Sequence, residues 1–342
     1  MSLIYQKNFT EILTMTEKKR IVSGMRPTGA LHLENYHGAL KNWICLQDSH
    51  DCFFFIADWH ALTSNYEDTS GIPAFTRQMI IDWLSAGLAP KKSTLFVQSH
   101  IKEHAELFLL LSMITPTPWL ERNPTYKDQI DQLNSKDLST FGFLGYPVLQ
   151  AADIIIYKAQ GVPVGIDQVP HIEITREIAR RFNYLFGNVF PEPAAILTEM
   201  AKILGTDRRK MSKSYDNAIY LSDTPEAIMA TVLKMVTDPQ RARKSDPGNP
   251  DICNVYEFHR LYSPDTMTST INEKCRSAQI GCVDCKKIMA KNLIDALAPI
   301  LEKNQYFNDH PEIVDDVLAA GKKKAGRIAK ETLEEVRAAI KL

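Results

Sequence analysis

The chain has 342 residues, 44% of them apolar, and its 40 Lys and Arg nearly balance its 41 Asp and Glu. That length suits one large domain with a smaller one appended, and the net charge of −1 excludes a globally basic nucleic-acid binder, leaving any such contact to local patches. No apolar run approaches the roughly 18–20 residues of a membrane span, and the first twenty positions lack the continuous apolar stretch of a secretory leader, so a cytoplasmic protein that enters no membrane is expected.

Residues 1–19 read as an N-terminal extension; within them, Met15-Thr16-Glu17-Lys18-Lys19 resembles a chain start. Arg20–Ser23 is a predicted first strand, closed by a Gly/Pro-rich turn from Gly24 to Gly29. Asn35, a good capping residue, is expected to open a helix running to Gln47. Cys52–Ile56 (Cys-Phe-Phe-Phe-Ile) is apolar throughout, as a parallel strand covered on both faces must be. A helix near Ala74–Ala86, a strand at Thr94–Gln98 and a helix at Glu103–Ile114 follow. Ile154–Tyr157 and Val162–Val164 read as further apolar runs flanking a polar turn. Strands alternating with helices predict a doubly wound α/β parallel sheet, whose ligands gather at the carboxyl ends of the strands, where the loops after Ser23, Ile56 and Val164 converge. Pro191 and Pro193 mark a break. Beyond Asp207 a basic turn leads into helical patterns at about Pro225–Val236, Asp284–Leu301 and Ile313–Leu342, predicting an all-α C-terminal region. The expected boundaries are 20–207, 208–216 and 217–342.

Three short segments carry chemistry. Lys210-Met211-Ser212-Lys213-Ser214 sets two lysines three apart with hydroxyls between them, in a turn between domains. Lysine supplies a compact charge and the hydroxyls and amides complete a phosphate cradle, the arrangement that nucleotidyl transfer needs where negative charge builds up. An isolated Lys-x-x-Lys is usually a solvated loop. Ser23-Gly24-Met25-Arg26-Pro27-Thr28-Gly29-Ala30-Leu31-His32-Leu33-Glu34-Asn35-Tyr36 joins a strand to a helix; its small residues admit a nucleotide close to backbone, and His32 and Asn35 supply donors for phosphate oxygens. On its own this is also a common structural connection. Val162-Pro163-Val164-Gly165-Ile166-Asp167-Gln168 places an acid and an amide after a strand, which suits ribose hydroxyls and equally suits a capped helix start.

Together and in this order, the three segments resemble the signatures of class I aminoacyl-tRNA synthetases. With Ala57-Asp58-Trp59-His60-Ala61-Leu62-Thr63 and Tyr146-Pro147-Val148-Leu149-Gln150-Ala151-Ala152-Asp153, they resemble the tryptophanyl-tRNA synthetase family over roughly Arg20 to Leu342. The resemblance implies a Rossmann-like catalytic domain with a mobile 208–216 loop, a helical anticodon-binding domain, ATP with Mg2+, L-tryptophan and tRNA(Trp) as partners, and a homodimer. It implies that Asp153 accepts the indole N–H, that Tyr146 and Gln168 hold the ammonium group, that His60 lies near the carboxylate, and that Val162, Val164 and Gln150 line the pocket. It further implies that Gly165, Asp167 and Gln168 meet the ribose, that Arg26, Thr28, Met211 and Ser212 contact ATP, and that His32, Asn35, Lys210 and Lys213 are catalytic, stabilising the transferring phosphate and the departing pyrophosphate. The rival readings are a tyrosyl-tRNA synthetase and a non-catalytic relative that binds RNA or senses tryptophan and iron.

Glu34 departs from the family pattern, which has glycine there. A carboxylate at that place crowds the nucleotide unless the loop shifts or the side chain turns outward; otherwise it weakens ATP binding. Four of the six cysteines cluster as Cys253-x21-Cys275-x6-Cys282-x2-Cys285. In a chain expected to be cytosolic, such a cluster suggests metal before disulfides. The spacing is not that of a regular zinc ribbon; it resembles the [4Fe-4S]-bearing subgroup of the same family, with Zn2+ as the alternative. Cys45, Cys52, His104 and Trp119 are expected to be packing residues. The basic runs Arg241-Ala242-Arg243-Lys244 and Lys322-Lys323-Lys324, and Lys286 and Lys287, are candidate RNA-phosphate contacts.

Overall fold

A computed structural model describes residues 18–124, 126, 138–197, 203–212 and 215–342. Five strands form one sheet: β1 (Arg20–Met25), β2 (Asp51–Ile56), β3 (Ser93–Val97), β4 (Gly161–Val164) and β5 (Ala194–Leu197). The order is β3-β2-β1-β4-β5 and every pairing is parallel. The chain winds outward from β1 to β3, then returns to lay β4 on the other side of β1. The switch point between β1 and β4 opens the crevice at the strands' carboxyl ends.

Period-two alternation sends neighbouring side chains to opposite faces. Cys52, Phe54 and Ile56 enter one buried cluster, with Trp43 and Trp83; Phe53 and Phe55 enter another, with Phe96 and Tyr157. Each fully buried large side chain contributes about 1.5–3 kcal/mol. The helices before the third signature are α1 (Leu33–Asn35), α2 (Lys41–Leu46), α3 (Asp58–Asn65), α4 (Ile72–Ala86), α5 (Glu103–Ser112), α6 (Thr117–Glu121) and α7 (Phe141–Ile155). After it come α8 (Val169–Phe186), α9 (Pro225–Lys234), α10 (Asn254–Tyr262), α11 (Asp265–Arg276), α12 (Cys282–Asp309) and α13 (Pro311–Ile340).

The C-terminal region is helical as predicted, yet it is not set apart. One buried cluster runs from Ile21 and Trp43 through Ile219, Phe258 and Leu297 to Val314, and the other takes Ala325, Ile328 and Val336 beside Phe53. Helix α13 lies across β3 so closely that a Cβ at Gly321 would stand 1.7 Å from the Leu95 carbonyl oxygen. Only glycine permits that approach. Arg337 clasps Glu106 through two bonds of 2.8 and 2.7 Å on the same seam.

Four local expectations change. The first helix begins at Leu33, because the His32 side chain caps it and Asn35 answers from the third position. It continues through a π-turn at Tyr36–Leu40 into α2. The apolar run Ile154–Tyr157 is not a strand; Thr140 caps α7 and the run is its buried end and the turn beyond. A fifth strand follows Pro193 at the sheet edge, where a preceding proline costs no ladder bond. Cys52 is buried as expected, whereas Cys45 is exposed on the outer side of α2.

Candidate active site

A cavity of about 340 Å³ opens at the switch point, within the size range of small-molecule sites. Val22 to Arg26 from the end of β1 form one wall, Val162 to Gly165 with Asp167 and Gln168 from β4 and its loop another, with Ala57 and His60 from the β2 end and Tyr146, Gln150 and Asp153 from α7. The structure therefore brings together Arg26, His60, Tyr146, Gln150, Asp153, Val162, Val164, Gly165, Asp167 and Gln168. Thr28, His32, Asn35, Lys210, Met211 and Ser212 are described but stand outside this lining. Lys213 lies outside the described residues.

Asp153 is fully buried. Its carboxylate accepts from His60 Nε2 at 2.8 Å, from Gln98 Nε2 at 2.8 Å to both oxygens, and from His104 Nδ1 at 2.6 Å. Burial alone would raise this carboxyl's pKa; the bonds from His104 and His60 outweigh it and hold the group below its ordinary value. His104, expected only to pack, donates from Nδ1 and so accepts on Nε2 from the Tyr157 hydroxyl, 2.6 Å away. Burial pushes the Tyr157 phenol well up, which keeps it a neutral donor. His60 and Asp153 border the cavity, while Gln98 and His104 stand behind.

On the adjoining wall, Asn123 Nδ2 donates to His171 Nδ1 at 3.0 Å. That leaves His171 Nε2 to donate to Tyr146 Oη at 3.2 Å, and Tyr146 turns a second lone pair and its own proton toward other partners. Burial lowers His171 to about 4, so the imidazole is neutral near pH 7. Gln168 Nε2 donates to Asp167 at 2.9 Å on the short turn after Gly165. Trp119 is half-buried and carries the Arg181 guanidinium over its ring, 5.9 Å from the centroid.

The two phosphate-type segments approach one another outside the cavity lining. His32 Nδ1 accepts from the Asn35 amide at 3.4 Å, which places the ring proton on Nε2; Asn35 Oδ1 accepts from His32 N at 3.2 Å, which turns its amino group outward. Buried Asp82 takes the Leu31 N–H at 3.1 Å, with Gln78 and Asn304 as its other donors at 2.7 and 2.9 Å. Leu33 N donates to Ile219 O at 3.0 Å and Leu221 N to Leu31 O at 2.9 Å, so the first signature is laced to the strap that follows the lysine-serine loop. Glu34 is half-buried; burial raises its carboxyl above the ordinary value and the charge of Lys210 pulls it back down.

The four clustered cysteines come together where α10, α11 and α12 meet. Arg241 Nη1 reaches Cys275 Sγ at 4.0 Å and Cys282 Sγ at 3.9 Å, and Arg241 Nε is buried without a partner. Burial, then the neighbouring charges of Cys253, Cys275 and Cys282, pushes the Cys285 thiol to about 12. Among the described residues no three His, Cys, Asp or Glu side chains gather closely enough to hold a single metal ion. A guanidinium that reaches two of these thiols and keeps one buried nitrogen unpartnered suits an anionic group there.

Gln98, Asn123 and Asp82 went unread as site residues in the sequence, and His104 was read only as a packing residue. Each lies far along the chain from the group it serves, in a segment whose local pattern is plain strand, helix or turn.

The family model describing class I tRNA synthetases (W and Y) matches residues 14–298. A tryptophan–tRNA ligase of Thermotoga maritima is 55% identical over 94% of this chain and 99% of its own length, and one of Aquifex aeolicus is 46% identical over 94% and 100%. The crystal structure of tryptophanyl-tRNA synthetase from Campylobacter jejuni with ADP and tryptophan superposes with a TM-score of 0.86 at 32% identity, covering 94% of this chain and all of that one.

Proposed function

The chain belongs to the class I tRNA synthetases of the tryptophan and tyrosine type and is an ATP-dependent tryptophan–tRNA ligase; from that premise we propose how its residues divide the work. The observation that carries the reading is Asp153, a buried carboxylate on the cavity wall.

A carboxylate offers about four acceptor positions, and three donors already share those of Asp153. Of these bonds only that of His60 faces the cavity. An indole N–H replaces it, and His60 is released toward the tryptophan carboxylate. Phenylalanine brings no donor, and a site built around one rejects the analogue lacking it by roughly 10⁴–10⁵-fold. Val162, Val164 and Gln150 enclose the ring; Tyr146 and Gln168 accept from the ammonium group.

ATP lies along the β1 and β4 ends, its ribose against Gly165, Asp167 and Gln168, with Arg26, Thr28, Met211 and Ser212 on the nucleotide. Mg2+ arrives with ATP, held mainly by phosphates and waters. The tryptophan carboxylate attacks the α-phosphorus, a carboxyl–phosphorus bond forms, the bridging bond to the β-phosphate breaks, and pyrophosphate leaves. His32, Asn35, Lys210 and Lys213 donate where that charge develops. The 3′-terminal hydroxyl of tRNA(Trp) then takes the tryptophanyl group and AMP departs. The protein works as a cytoplasmic homodimer, with helices beyond residue 217 serving the anticodon.

The four cysteines suit a [4Fe-4S] cluster: Cys253, Cys275, Cys282 and Cys285 would hold it, with the Arg241 guanidinium, already 4.0 and 3.9 Å from Cys275 and Cys282 Sγ, beside it. When bound it supplies a rigid crosslink between helices, with no step of the reaction assigned to it.

Amino-acid-dependent ATP–pyrophosphate exchange tests the reaction: tryptophan supports it, while phenylalanine and tyrosine fall orders of magnitude behind. Exchange led by tyrosine overturns the assignment of the pocket. Anaerobically purified protein is brown, and Cys282→Ser removes the absorbance; colourless protein with one zinc per chain replaces the cluster with zinc.

A further inference from the structure

The lysine-serine loop is exposed at Lys210, yet its stem is fastened to one buried side chain, Asn217, which is 1% exposed. Asn217 Oδ1 accepts from Ser212 N at 2.8 Å, and its Nδ2 donates to the Lys210 carbonyl at 3.1 Å and to Asp207 Oδ1 at 2.7 Å. One amide thus holds the backbone on both sides of Met211, whose side chain is 2% exposed and sits in the main core.

Three features show that the place is built around that amide. Asp207 is fixed as its acceptor: burial would raise this carboxyl, but bonds from Asn217 and Arg209 bring it to about 2. Gly205 leaves the room the amide needs, since a Cβ there would lie 2.2 Å from Asn217 Nδ2. The Thr206 N–H donates to the Asn217 carbonyl at 2.9 Å. Two residues further on, Ile219 and Leu221 pair with Leu33 and Leu31 around His32. Segment 217–221 is therefore a common mount: the loop is tied to it by a side chain, the first signature by backbone.

We propose that Asn217 is a positioning residue for adenylate formation, setting where Lys210 and Ser212 stand relative to His32 so that both phosphate-facing segments act on one nucleotide. The inference rests on the functional reading above. Asn217 touches no reactant in this account; it acts through the loop. Removing it lets the loop drift by an ångström or so, and displacements of that size cost on the order of 100-fold in rate.

The test uses the full chain bearing Asn217→Ala or Asn217→Asp. The aspartate keeps the volume and the acceptor for Ser212 N but sets an oxygen against the Lys210 carbonyl and the Asp207 carboxylate. Both variants are expected to form adenylate at least tenfold more slowly in single turnover, with KM for tryptophan and Tm little changed. Trypsin is expected to cut within 208–213 several-fold faster. An unchanged adenylation rate overturns the proposal, and so does a loss in which Tm and both KM values move together. Should the unmodified chain show no exchange with any amino acid, the functional reading fails, and unaltered proteolysis in the variants would independently show that Asn217 does not hold the loop.

Discussion

The two halves of the site are held in opposite ways. Around Asp153 the ties run between side chains, in the interior, at 2.6–2.8 Å. Around Lys210 and His32 the ties hold main chain, through the Asn217 amide at the loop and through backbone pairing at the first signature, and the working side chains stand half-buried or exposed. The first half must discriminate, and a carboxylate pinned by three donors has no freedom to adapt to a wrong ring. The second must admit ATP and release pyrophosphate, so its charges stay solvated and only their mounts are fixed. Rigidity is spent on the amino acid and mobility on the phosphates.

The sharpest way to break that contrast is Asp153→Asn. It strands His104 and His60 without their charge partner, and a buried unsatisfied set of this kind costs about 3 kcal/mol or more. The expected result is at least a 100-fold fall in kcat/KM for tryptophan with KM for ATP little altered; equal losses in both would dissolve the division. Lys210→Ala is the converse probe: a charge-assisted contact to phosphate is worth about 1.5–3 kcal/mol, so kcat for exchange drops by roughly tenfold to 100-fold while tryptophan binding, followed by fluorescence quenching, holds.

Gly321→Ala tests whether the buried half leans on α13. The new methyl meets the Leu95 carbonyl, overpacking costs about 1–3 kcal/mol, and Tm should fall by several degrees; an unchanged Tm would mean that the helix shifts freely over β3. Acid should loosen the same half. His171 titrates near 4 when folded against 6.5 ordinarily. The unfolded chain then takes up the proton first, so stability is lost as pH falls through the window from 6.5 to 4. His171→Asn should flatten the dependence of Tm on pH there, and an unaltered slope would remove His171 from the account. The smallest effect is expected at Glu34→Gly, which removes a carboxylate beside Lys210: KM for ATP should fall a few-fold, checked by exchange kinetics, and a rise would give Glu34 a constructive part in nucleotide binding.

Legibility in the sequence followed the range of each interaction. The apolar run Cys52–Ile56 announced a doubly covered strand, and the Gly/Pro-rich stretch announced a turn after the first strand, because both effects are local, although the strand runs on through Gly24 and Met25 before that turn begins. The cavity residues from Tyr146 to Asp153 and Val162 to Gln168 were readable as two motifs. Gln98 and His104 were not: they reach Asp153 across 55 and 49 residues, and His104 in particular lies in a helix whose pattern speaks only of packing. The same holds for Asn217, seven residues from Lys210 yet silent until the loop is folded over it.

The sequence by itself settled which chemical groups exist, in what order, and most of the strands and helices that carry them, since residue type and short-range periodicity are properties of the chain. The tertiary structure alone decided the partners. Proton placement on His104, His171 and His32, the filling of Asp153's acceptors, the shared core of sheet and C-terminal helices, and the mount beneath both phosphate loops all depend on distances between remote segments, and those are created only when burial of apolar surface draws the segments together.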